Sequence, residues 1–258
     1  MYDLIVIGGG PAGYMGAERA AHAGLKTLMI EKAQVGGVCL NEGCIPTKSL
    51  LYSAKLKDGA AFGKKYGVTA ENISLDHAAV VARKNKVVSM LVGGVKVQLK
   101  SAGAETISGE ATVTGRNADG FEVACGDSVY TGKRLLIASG SVPVVPSIPG
   151  INEALAHGFA LTNKEILELD TVPKRLAVIG GGVIGLEMAG YFASAGSEVT
   201  VIEMLEMIGG GIEPDIAKIL MRNLEKKGIR FMLGCKAAKI SENAVFYRRQ
   251  TRYKRNPG

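Results

Sequence analysis

The feature that most constrains the fold of this chain is an internal repeat. The run LIVIGGGPAG, which begins at Leu4, aligns with LAVIGGGVIG, which begins at Leu176, and the same offset of 172 residues pairs Glu31 with Glu203. Each copy reads as a short apolar run, a glycine cluster, a stretch of small residues and a second apolar run that ends on the acid. This order predicts the βαβ unit that binds dinucleotides. The sequence therefore predicts an α/β protein with two Rossmann-like domains and two bound dinucleotides.

The three spaced glycines of each copy have separate physical roles. The first allows a tight turn, the second lets the backbone approach a pyrophosphate, and the third lets the helix pack closely on the strand. The N-terminus of the helix then offers N–H groups and a positive dipole to the phosphates. The acid lies 18 residues after the third glycine in both copies and can accept hydrogen bonds from a ribose. The predicted binding residues are Gly8, Gly10, Gly13 and Glu31 in the first copy, and Gly180, Gly182, Gly185 and Glu203 in the second.

Composition and charge argue against two other classes of partner. The net charge is +7, but five basic residues and no acid fall in residues 248–258, which leaves 26 basic against 24 acidic residues elsewhere. No patterned basic helix or aromatic platform accompanies the charge, so nucleic-acid binding is not expected. No apolar run approaches the roughly 18–20 residues that cross a bilayer, and the N-terminus does not resemble a signal peptide. We therefore expect a cytoplasmic protein without a membrane anchor.

Hydrophobic spacing and turn residues predict the elements outside the repeat. The proline-punctuated run from Pro143 to Pro149 marks a domain boundary. The predicted elements are helices over residues 78–100 and 214–227 and strands over 106–113, 121–124, 135–138 and 229–233.

Two of the four cysteines, Cys39 and Cys44, are separated by four residues in the run GGVCLNEGCIPTK. This spacing can bring their sulfurs together if the Cα atoms lie within about 7 Å. A helix starting near Ile45 would place Cys44 at its N-terminus, which favours a thiolate. Inert thiols and a redox disulfide both remain open on the residues alone, whereas a zinc site lacks further ligands at metal spacing. Cys125 and Cys235 lie in strand-like runs and are expected to pack as small apolar residues.

The cysteine run resembles the redox-active motif of the class I pyridine nucleotide-disulfide oxidoreductases and is most similar to the branch that oxidises dihydrolipoamide. The resemblance extends to about residue 243 and includes both glycine clusters and the run IASGSVP, which begins at Ile137. It implies that the first copy binds FAD, with a ribose on Glu31, and that the second binds NAD, with a ribose on Glu203. By the same resemblance, further cofactor contacts are assigned to Gly37, Lys48, Ala111, Ser139, Gly140 and Ala237.

The resemblance also implies four catalytic residues. Cys39 would exchange with dihydrolipoamide on a lipoyl-domain protein, and Cys44 would face the flavin. Lys48 would lie near the flavin N5 atom and pair with Glu187. Electrons would pass from the dithiol through the Cys39–Cys44 disulfide and FAD to NAD. A reductase of small acceptors and an inactive fragment are the alternatives.

The family's chains are longer and form homodimers. The resemblance implies an FAD-binding domain over residues 1–146, an incomplete NAD-binding domain over 147–245 and an aberrant basic tail over 246–258. A Gly-Asp strand and a C-terminal interface domain with a His-x-x-x-x-Glu pair are absent from this sequence. We expect a frameshift or premature stop at the tail, and impaired turnover of dihydrolipoamide as its consequence.

Overall fold

A computed structural model of the protein describes residues 1–249, which form two compact units. The first unit comprises residues 1–46 and 83–142, and the second comprises residues 47–82 and those from 143 onward. Packing therefore groups residues 47–82 with the second unit, although the sequence assigns them to the first predicted domain. The boundary at residue 146 stays a prediction.

The first unit is built on a six-stranded sheet with the strand order β3-β2-β1-β6-β5-β4. The first four strands in that order are parallel neighbours, and β5 pairs antiparallel with both β6 and β4. The strands are β1 (Tyr2–Ile7), β2 (Thr27–Glu31), β3 (Glu105–Ser108), β4 (Ala111–Asn117), β5 (Gly120–Cys125) and β6 (Ser128–Ile137), and the helices that begin in this unit are α1 (Pro11–His22), α2 (Gly37–Asn41) and α3 (Cys44–Phe62).

Both faces of the central strand β1 are buried, which explains its run of β-branched residues. Val6 belongs to one apolar cluster together with Ala17 of α1 and Leu99 of the long helix α4 (His77–Ala102). Ile5 belongs to a second cluster together with Val123 of β5. One face of β1 therefore packs against helices and the other against the antiparallel strand β5 of the same sheet, and the glycine-rich turn follows at the carboxyl end of β1.

The second unit contains a three-stranded parallel sheet with the order β7-β8-β9 and a separate antiparallel pair, β10 and β11. Its core joins Tyr191 and Phe192, which are fully buried, to Leu50 and Ala54 of α3. Its further elements are α5 (Ile151–Ala156), β7 (Arg175–Ile179), α6 (Val183–Ala195), β8 (Glu198–Ile202), α7 (Pro214–Glu225), β9 (Arg230–Met232), β10 (Cys235–Ser241) and β11 (Ala244–Arg249).

Most of the predicted elements are present, with some differences. The strand expected over residues 135–138 corresponds to the C-terminal part of the longer β6, which begins at Ser128. The single strand expected over residues 106–113 is divided into β3 and β4, because the chain turns at Gly109, whose N–H donates to the carbonyl of Glu31. The predicted basic tail begins within β11, where Arg248 pairs with Lys236 in the antiparallel register. The remaining basic residues of that tail, Arg252, Lys254 and Arg255, lie outside the described residues.

None of the helices within residues 1–249 combines the length and the apolar character needed to cross a bilayer. No cluster of three or more histidine, cysteine or acidic side chains in that range is suited to hold a metal ion.

A buried polar network crosses the core of the second unit. The hydroxyl of Tyr191 lies 2.7 Å from Nδ1 of His77, and Nε2 of His77 lies 2.9 Å from the carbonyl oxygen of Leu169. A carbonyl can only accept, so the neutral ring carries its proton on Nε2 and the Tyr191 hydroxyl donates to Nδ1. Burial raises the pKa of Tyr191 to about 12.

This network predicts a loss of stability in alkali. The folded state keeps the proton of Tyr191 up to about pH 12, whereas the unfolded chain releases it near 10.0. The contribution of protonated Tyr191 to the free energy of unfolding is therefore complete below pH 10. It decreases by up to ~2–3 kcal/mol as the pH rises through the pKa of Tyr191 in the folded state. We expect Tyr191→Phe to remove this decrease in denaturant unfolding measured at pH 9 and pH 11.5. The variant should also lose about 1–3 kcal/mol at pH 8, because Nδ1 of His77 loses its donor.

Tyr66→Phe is the matched control, because Tyr66 is 78% exposed. Its pH dependence should equal that of the wild type. The same alkaline slope in the wild type and in Tyr191→Phe would contradict the prediction.

Candidate nucleotide-binding turns and cysteine segment

The first glycine-rich turn joins β1 to α1 and has almost no room for side chains. Gly8 has a φ of +100°, and a Cβ atom there would lie 2.2 Å from the carbonyl oxygen of Ala138. A Cβ atom at Gly13 would lie 1.8 Å from the carbonyl oxygen of Gly8, so α1 packs directly on the turn. Gly10 precedes α1 and no side chain caps the helix. The first N–H groups of α1 are therefore available to an anion.

Glu31 ties this turn to the end of β2. Its Oε2 atom accepts the N–H of Gly9 at 2.5 Å, and its Oε1 atom accepts the N–H of Ala33 at 2.7 Å. A Cβ atom at Gly9 would lie only 3.1 Å from the Cβ atom of Glu31, so glycine allows the carboxylate to approach. The N–H of Gly36 donates to the carbonyl of Gly9 at 2.8 Å. Hydrogen bonds through Glu31 and through Gly36 therefore connect the loop after β2 to the turn.

The second copy repeats this arrangement almost atom for atom. Glu203 accepts the N–H of Gly181 on Oε2 at 2.6 Å and the N–H of Leu205 on Oε1 at 2.7 Å. Gly180 has the same φ of +100° as its counterpart, and the N–H of Gly209 donates to the carbonyl of Gly181 at 2.7 Å. The helix α6, like α1, has no side-chain cap.

The two turns differ in the space around their first glycine. A Cβ atom at Gly180 would meet no atom within 4 Å, in contrast to Gly8. Gly8 is crowded because β1 is paired on both sides and the chain continues past β6 to Ala138, whose N–H donates to Ile7. Within residues 1–249, β7 pairs only with β8. The second turn is therefore open on the side of its sheet that is filled in the first.

Sequence reasoning missed the middle glycine of each cluster and the glycine that follows the acid. The N–H groups of Gly9 and Gly181 donate to the carboxylates of the two acids. Gly36 and Gly209 have φ values of +102° and +91°, and their N–H groups donate to the carbonyls of Gly9 and Gly181. The GGG triplet in both copies could have indicated this role, since its middle glycine was left without a function in the sequence prediction. The position of Gly36 and Gly209 differs by one residue between the copies, which hides it from the repeat.

The other predicted cofactor contacts lie in varied surroundings. Ser139 and Gly140 are exposed and follow β6, and Ala111 is half-buried at the start of β4. A Cβ atom at Gly37 would lie 2.6 Å from the Cα atom of Gly10, so this glycine closes against the turn. Ala237 is buried in an apolar cluster of β10 and neighbouring segments. Its predicted contact with NAD stays a prediction.

The cysteine pair lies on a short helix and at the start of a long one. Cys39 is half-buried in α2, and Cys44 is exposed at the first position of α3. The side chain of Asn41 donates to the carbonyl of Gly37 at 2.9 Å and braces α2. A Cβ atom at Gly43 would lie 2.9 Å from a backbone oxygen of α2, so the turn between the cysteines is tight.

The two isolated cysteines are buried, as expected from the sequence. Cys125 and Cys235 are 8% and 5% exposed, and Cys125 belongs to the apolar cluster around Ile5. They behave as small core residues.

Lys48 and Glu187 lie on α3 and α6 and form an ion pair, with Nζ of Lys48 2.5 Å from Oε1 of Glu187. Their side chains are 60% and 24% exposed. An ion pair this exposed adds only about 0–1 kcal/mol to stability. Its main physical effect is to fix the position of the ammonium group.

A second polar group joins the same two helices further along. The Oδ2 atom of Asp58 accepts from Oγ of Ser194 at 2.8 Å and from Nζ of Lys227 at 2.6 Å. Nζ of Lys57 donates to the carbonyl of Ser194 at 2.5 Å. Together with Leu50 and Ala54 in the core, these bonds fix α3 against α6 at two heights.

Two glycine-rich turns of the dinucleotide-binding type, with a pair of cysteines between them in the sequence, indicate a redox protein that uses two nucleotide cofactors. The family model described as pyridine nucleotide-disulphide oxidoreductase matches residues 2–256. The chain belongs to this family, whose members use FAD and a nicotinamide nucleotide. The match continues past residue 243, where the sequence resemblance had been expected to end.

Individual relatives agree with this assignment. Dihydrolipoyl dehydrogenase of Mycoplasma genitalium is 42% identical over 95% of this chain and 53% of its own length, and that of Acholeplasma laidlawii is 39% identical over 95% and 72%. A solved structure of the HOCl-induced flavoprotein disulfide reductase from Escherichia coli, as a Cu(II) complex, matches with a TM-score of 0.79 at 29% identity, over 95% of this chain and 53% of that one. The chain spans about half the length of most of the curated relatives it matches.

The residues present fit the two cofactors. Each turn offers an uncapped helix N-terminus for a pyrophosphate, and each acid retains acceptor capacity after its two backbone bonds, since a carboxylate has about four lone-pair sites. A Cβ atom at Gly182 would meet nothing within 4 Å, which leaves space for a ligand at the second turn.

The unequal space around the first glycines makes a testable difference. Both residues have the same φ, so alanine costs about 1–2 kcal/mol at either position. At Gly8 the added methyl group also collides with Ala138, so we expect Gly8→Ala to lose more than about 3 kcal/mol or to fail to fold. Gly180→Ala should fold and lose only the smaller amount. Urea unfolding followed by circular dichroism measures both.

Gly59→Ala serves as a control because Gly59 lies in α3 with open space around it. It should be neutral or stabilising by up to ~1 kcal/mol. Equal losses in Gly8→Ala and Gly180→Ala would show that the space around the first glycine does not matter.

Proposed function

We propose that this chain supplies the FAD- and NAD-binding parts of an oxidoreductase that transfers electrons from dihydrolipoamide to NAD. The observation that supports this most directly is the Lys48–Glu187 ion pair. Lys48 lies one turn after Cys44 in α3, and Glu187 lies in α6, the helix that follows the second glycine-rich turn. An ion pair this exposed adds only about 0–1 kcal/mol to stability, so we assign the pair a role in the reaction.

In the proposed reaction the cysteine pair starts as a disulfide. A thiolate of dihydrolipoamide attacks Sγ of Cys39, the S–S bond breaks, and Cys44 leaves as a thiolate. The second substrate thiolate then displaces Cys39 from the mixed disulfide. Lipoamide leaves as the oxidised product, and the protein retains both electrons as two reduced cysteines.

The positions of the protein groups suit this sequence. Cys44 is the first residue of α3, where the positive end of the helix dipole stabilises its thiolate as a leaving group. Lys48 would contact the flavin, and its charge-assisted bond to Glu187 holds it in place. FAD, when bound, supplies the two-electron carrier between the reduced cysteines and NAD.

The first turn would hold FAD and the second NAD. Gly8, Gly10, Gly13 and Glu31 would bind the FAD pyrophosphate and ribose, and the equivalent residues of the second copy would bind NAD. The substrate would be presented by a lipoyl-domain protein in the cytoplasm. In this proposal the complete enzyme is a homodimer.

Thiol titration tests the proposal. Air-oxidised protein supplied with FAD should gain two thiols on treatment with dihydrolipoamide, and peptide mapping should assign them to Cys39 and Cys44. Cys39→Ser and Cys44→Ser should each abolish this gain, because one sulfur cannot form the intramolecular disulfide. Reduction of an artificial dye by NADH should survive in Cys39→Ser, since that transfer does not need substrate exchange.

Cys125→Ala and Cys235→Ala are matched controls and should behave as the wild type. A Cys125–Cys235 linkage in folded protein, or an unchanged gain of thiols in Cys39→Ser, would contradict the proposed exchange. A wild type that reduces dyes without reacting with dihydrolipoamide would instead be a reductase of small acceptors.

The second turn is expected to prefer NAD over NADP. Glu203 is 8% exposed at the end of β8, and its carboxylate would repel a 2′-phosphate. No lysine or arginine occurs from Met204 to Ile212 to bind that phosphate. Calorimetric titration should show NAD binding at least roughly tenfold more tightly, a difference of about 1.4 kcal/mol.

Glu203→Gln should reduce the preference for NAD over NADP, because it removes the negative charge and preserves one acceptor oxygen. Glu198→Gln is the control, since Glu198 is exposed in the same strand. NADP binding as tightly as NAD to the wild type would overturn the assignment.

A further inference from the structure

The helix α2 carries Cys39 but is too short to hold that residue in place by itself. It spans five residues, whereas isolated helices shorter than about 12–15 residues are only marginally stable in water. The helix begins after Gly36, whose φ is +102°, and no side chain caps its N-terminus. Contacts from outside the helical backbone must therefore fix the position of Cys39.

Asn41, the last residue of α2, supplies such contacts. Its Nδ2 atom donates to the carbonyl of Val35 at 3.2 Å and to the carbonyl of Gly37 at 2.9 Å. These two bonds use both N–H donors of the amide, and the side chain is half-buried. Val35 precedes the helix, so Asn41 joins the end of α2 back to the loop before its start. Residues 35–41 thus form a closed loop that includes Cys39.

This loop is attached to the first glycine-rich turn. The N–H of Gly36 donates to the carbonyl of Gly9 at 2.8 Å. Gly37 packs so closely on the turn that a Cβ atom there would lie 2.6 Å from the Cα atom of Gly10. Asn41 therefore connects α2 to a turn that follows directly on the central strand β1.

The backbone between the two cysteines folds back on α2. A Cβ atom at Gly43 would lie 2.9 Å from the carbonyl oxygen of Val38 and 3.4 Å from the Cα atom of Cys39. Cys44 follows directly, so a displacement of α2 changes the distance between the two cysteine Cα atoms. A disulfide requires that distance to be within about 7 Å and the Cβ atoms to point toward each other. The stability of the disulfide therefore depends on how firmly α2 is held.

We propose that Asn41 is a positioning residue for the Cys39–Cys44 disulfide. It acts through the backbone of α2 and keeps Sγ of Cys39 within reach of Sγ of Cys44, which raises the equilibrium constant for forming the bond. The inference rests on the proposed function, in which this pair alternates between a dithiol and a disulfide. Hydrogen bonds that only stabilised the fold would favour both redox states equally and would leave this constant unchanged.

Equilibration with glutathione tests this role in the full chain, without FAD or dihydrolipoamide. The dithiol gives two electrons and two protons to oxidised glutathione, so the Cys39–Cys44 bond forms and two molecules of reduced glutathione are released. Residues 33–48 form one tryptic peptide with both cysteines. Acid quenching, alkylation and mass spectrometry of this peptide give the equilibrium constant.

We expect Asn41→Leu to lower this constant at least about tenfold, because leucine has a similar size but cannot donate to either carbonyl. A tenfold fall corresponds to a rise of about 30 mV in the reduction potential of the pair. Asn41→Ala removes the same donors without adding apolar volume and should give a shift of the same size.

Asn117→Ala is the matched control. The side chain of Asn117 accepts the N–H groups of Asp119 and Gly120 and donates to Glu122, in the turn between β4 and β5 of the same unit. The substitution therefore also removes side-chain hydrogen bonds that brace a tight segment. It should lower the urea midpoint of unfolding and leave the glutathione equilibrium as in the wild type.

The possible results separate this proposal from the proposed function. Equal constants in the wild type and both Asn41 variants would overturn the role of Asn41 and leave the proposed function standing. A fall of the same size in Asn117→Ala would also overturn it, as would loss of the folded state in both Asn41 variants, because stability alone would then explain the effect. Failure of the wild type to form the Cys39–Cys44 bond at any glutathione ratio would contradict the proposed function and this inference together.

Discussion

The interaction on which both nucleotide-binding turns depend is the bond between a strand-end carboxylate and the middle glycine of the turn. Glu31 and Glu203 each accept one N–H from the turn and one from the following loop, within 2.5–2.7 Å. Bonds to an ionised acceptor are stronger than neutral ones, and partial burial strengthens them further. The acid that is expected to bind a ribose therefore also fixes the turn before any ribose arrives, which reduces the entropy lost on binding.

The two copies share this bond but differ in their support. The first turn is held from both sides because β1 lies between β2 and β6, whereas β7 is paired on one side within residues 1–249. Strand burial follows from this, since Val6 is fully buried while its counterpart Val178 is only half-buried. The same sequence motif can therefore have its first glycine in crowded or in open surroundings. The difference comes from neighbouring strands that are distant in sequence.

Much of this architecture could be predicted from the repeat, because strand, turn, helix and acid are local in sequence and occur twice. The Lys48–Glu187 pair was anticipated only through the family resemblance, since nothing local links residues 139 positions apart. The division of residues 106–113 into two strands was missed because Gly109 is a single turn residue in an otherwise strand-like run. The packing of residues 47–82 with the second unit was also missed, because apolar residues such as Leu50 predict burial but not which core receives them.

The helix α3 illustrates how stability and chemistry are separated in this fold. Leu50 and Ala54 are almost fully buried, and burial of such side chains contributes about 1.5–3 kcal/mol for the leucine alone, which exceeds what an exposed ion pair adds. The apolar contacts therefore decide that α3 packs on α6. The polar contacts at Lys48 and Asp58 add directional constraints between the two helices, because a hydrogen bond depends on direction more strongly than an apolar contact does. Among residues 1–249 the charged partner of Lys48 is Glu187, so this carboxylate can hold the ammonium in place while the apolar contacts hold the helix.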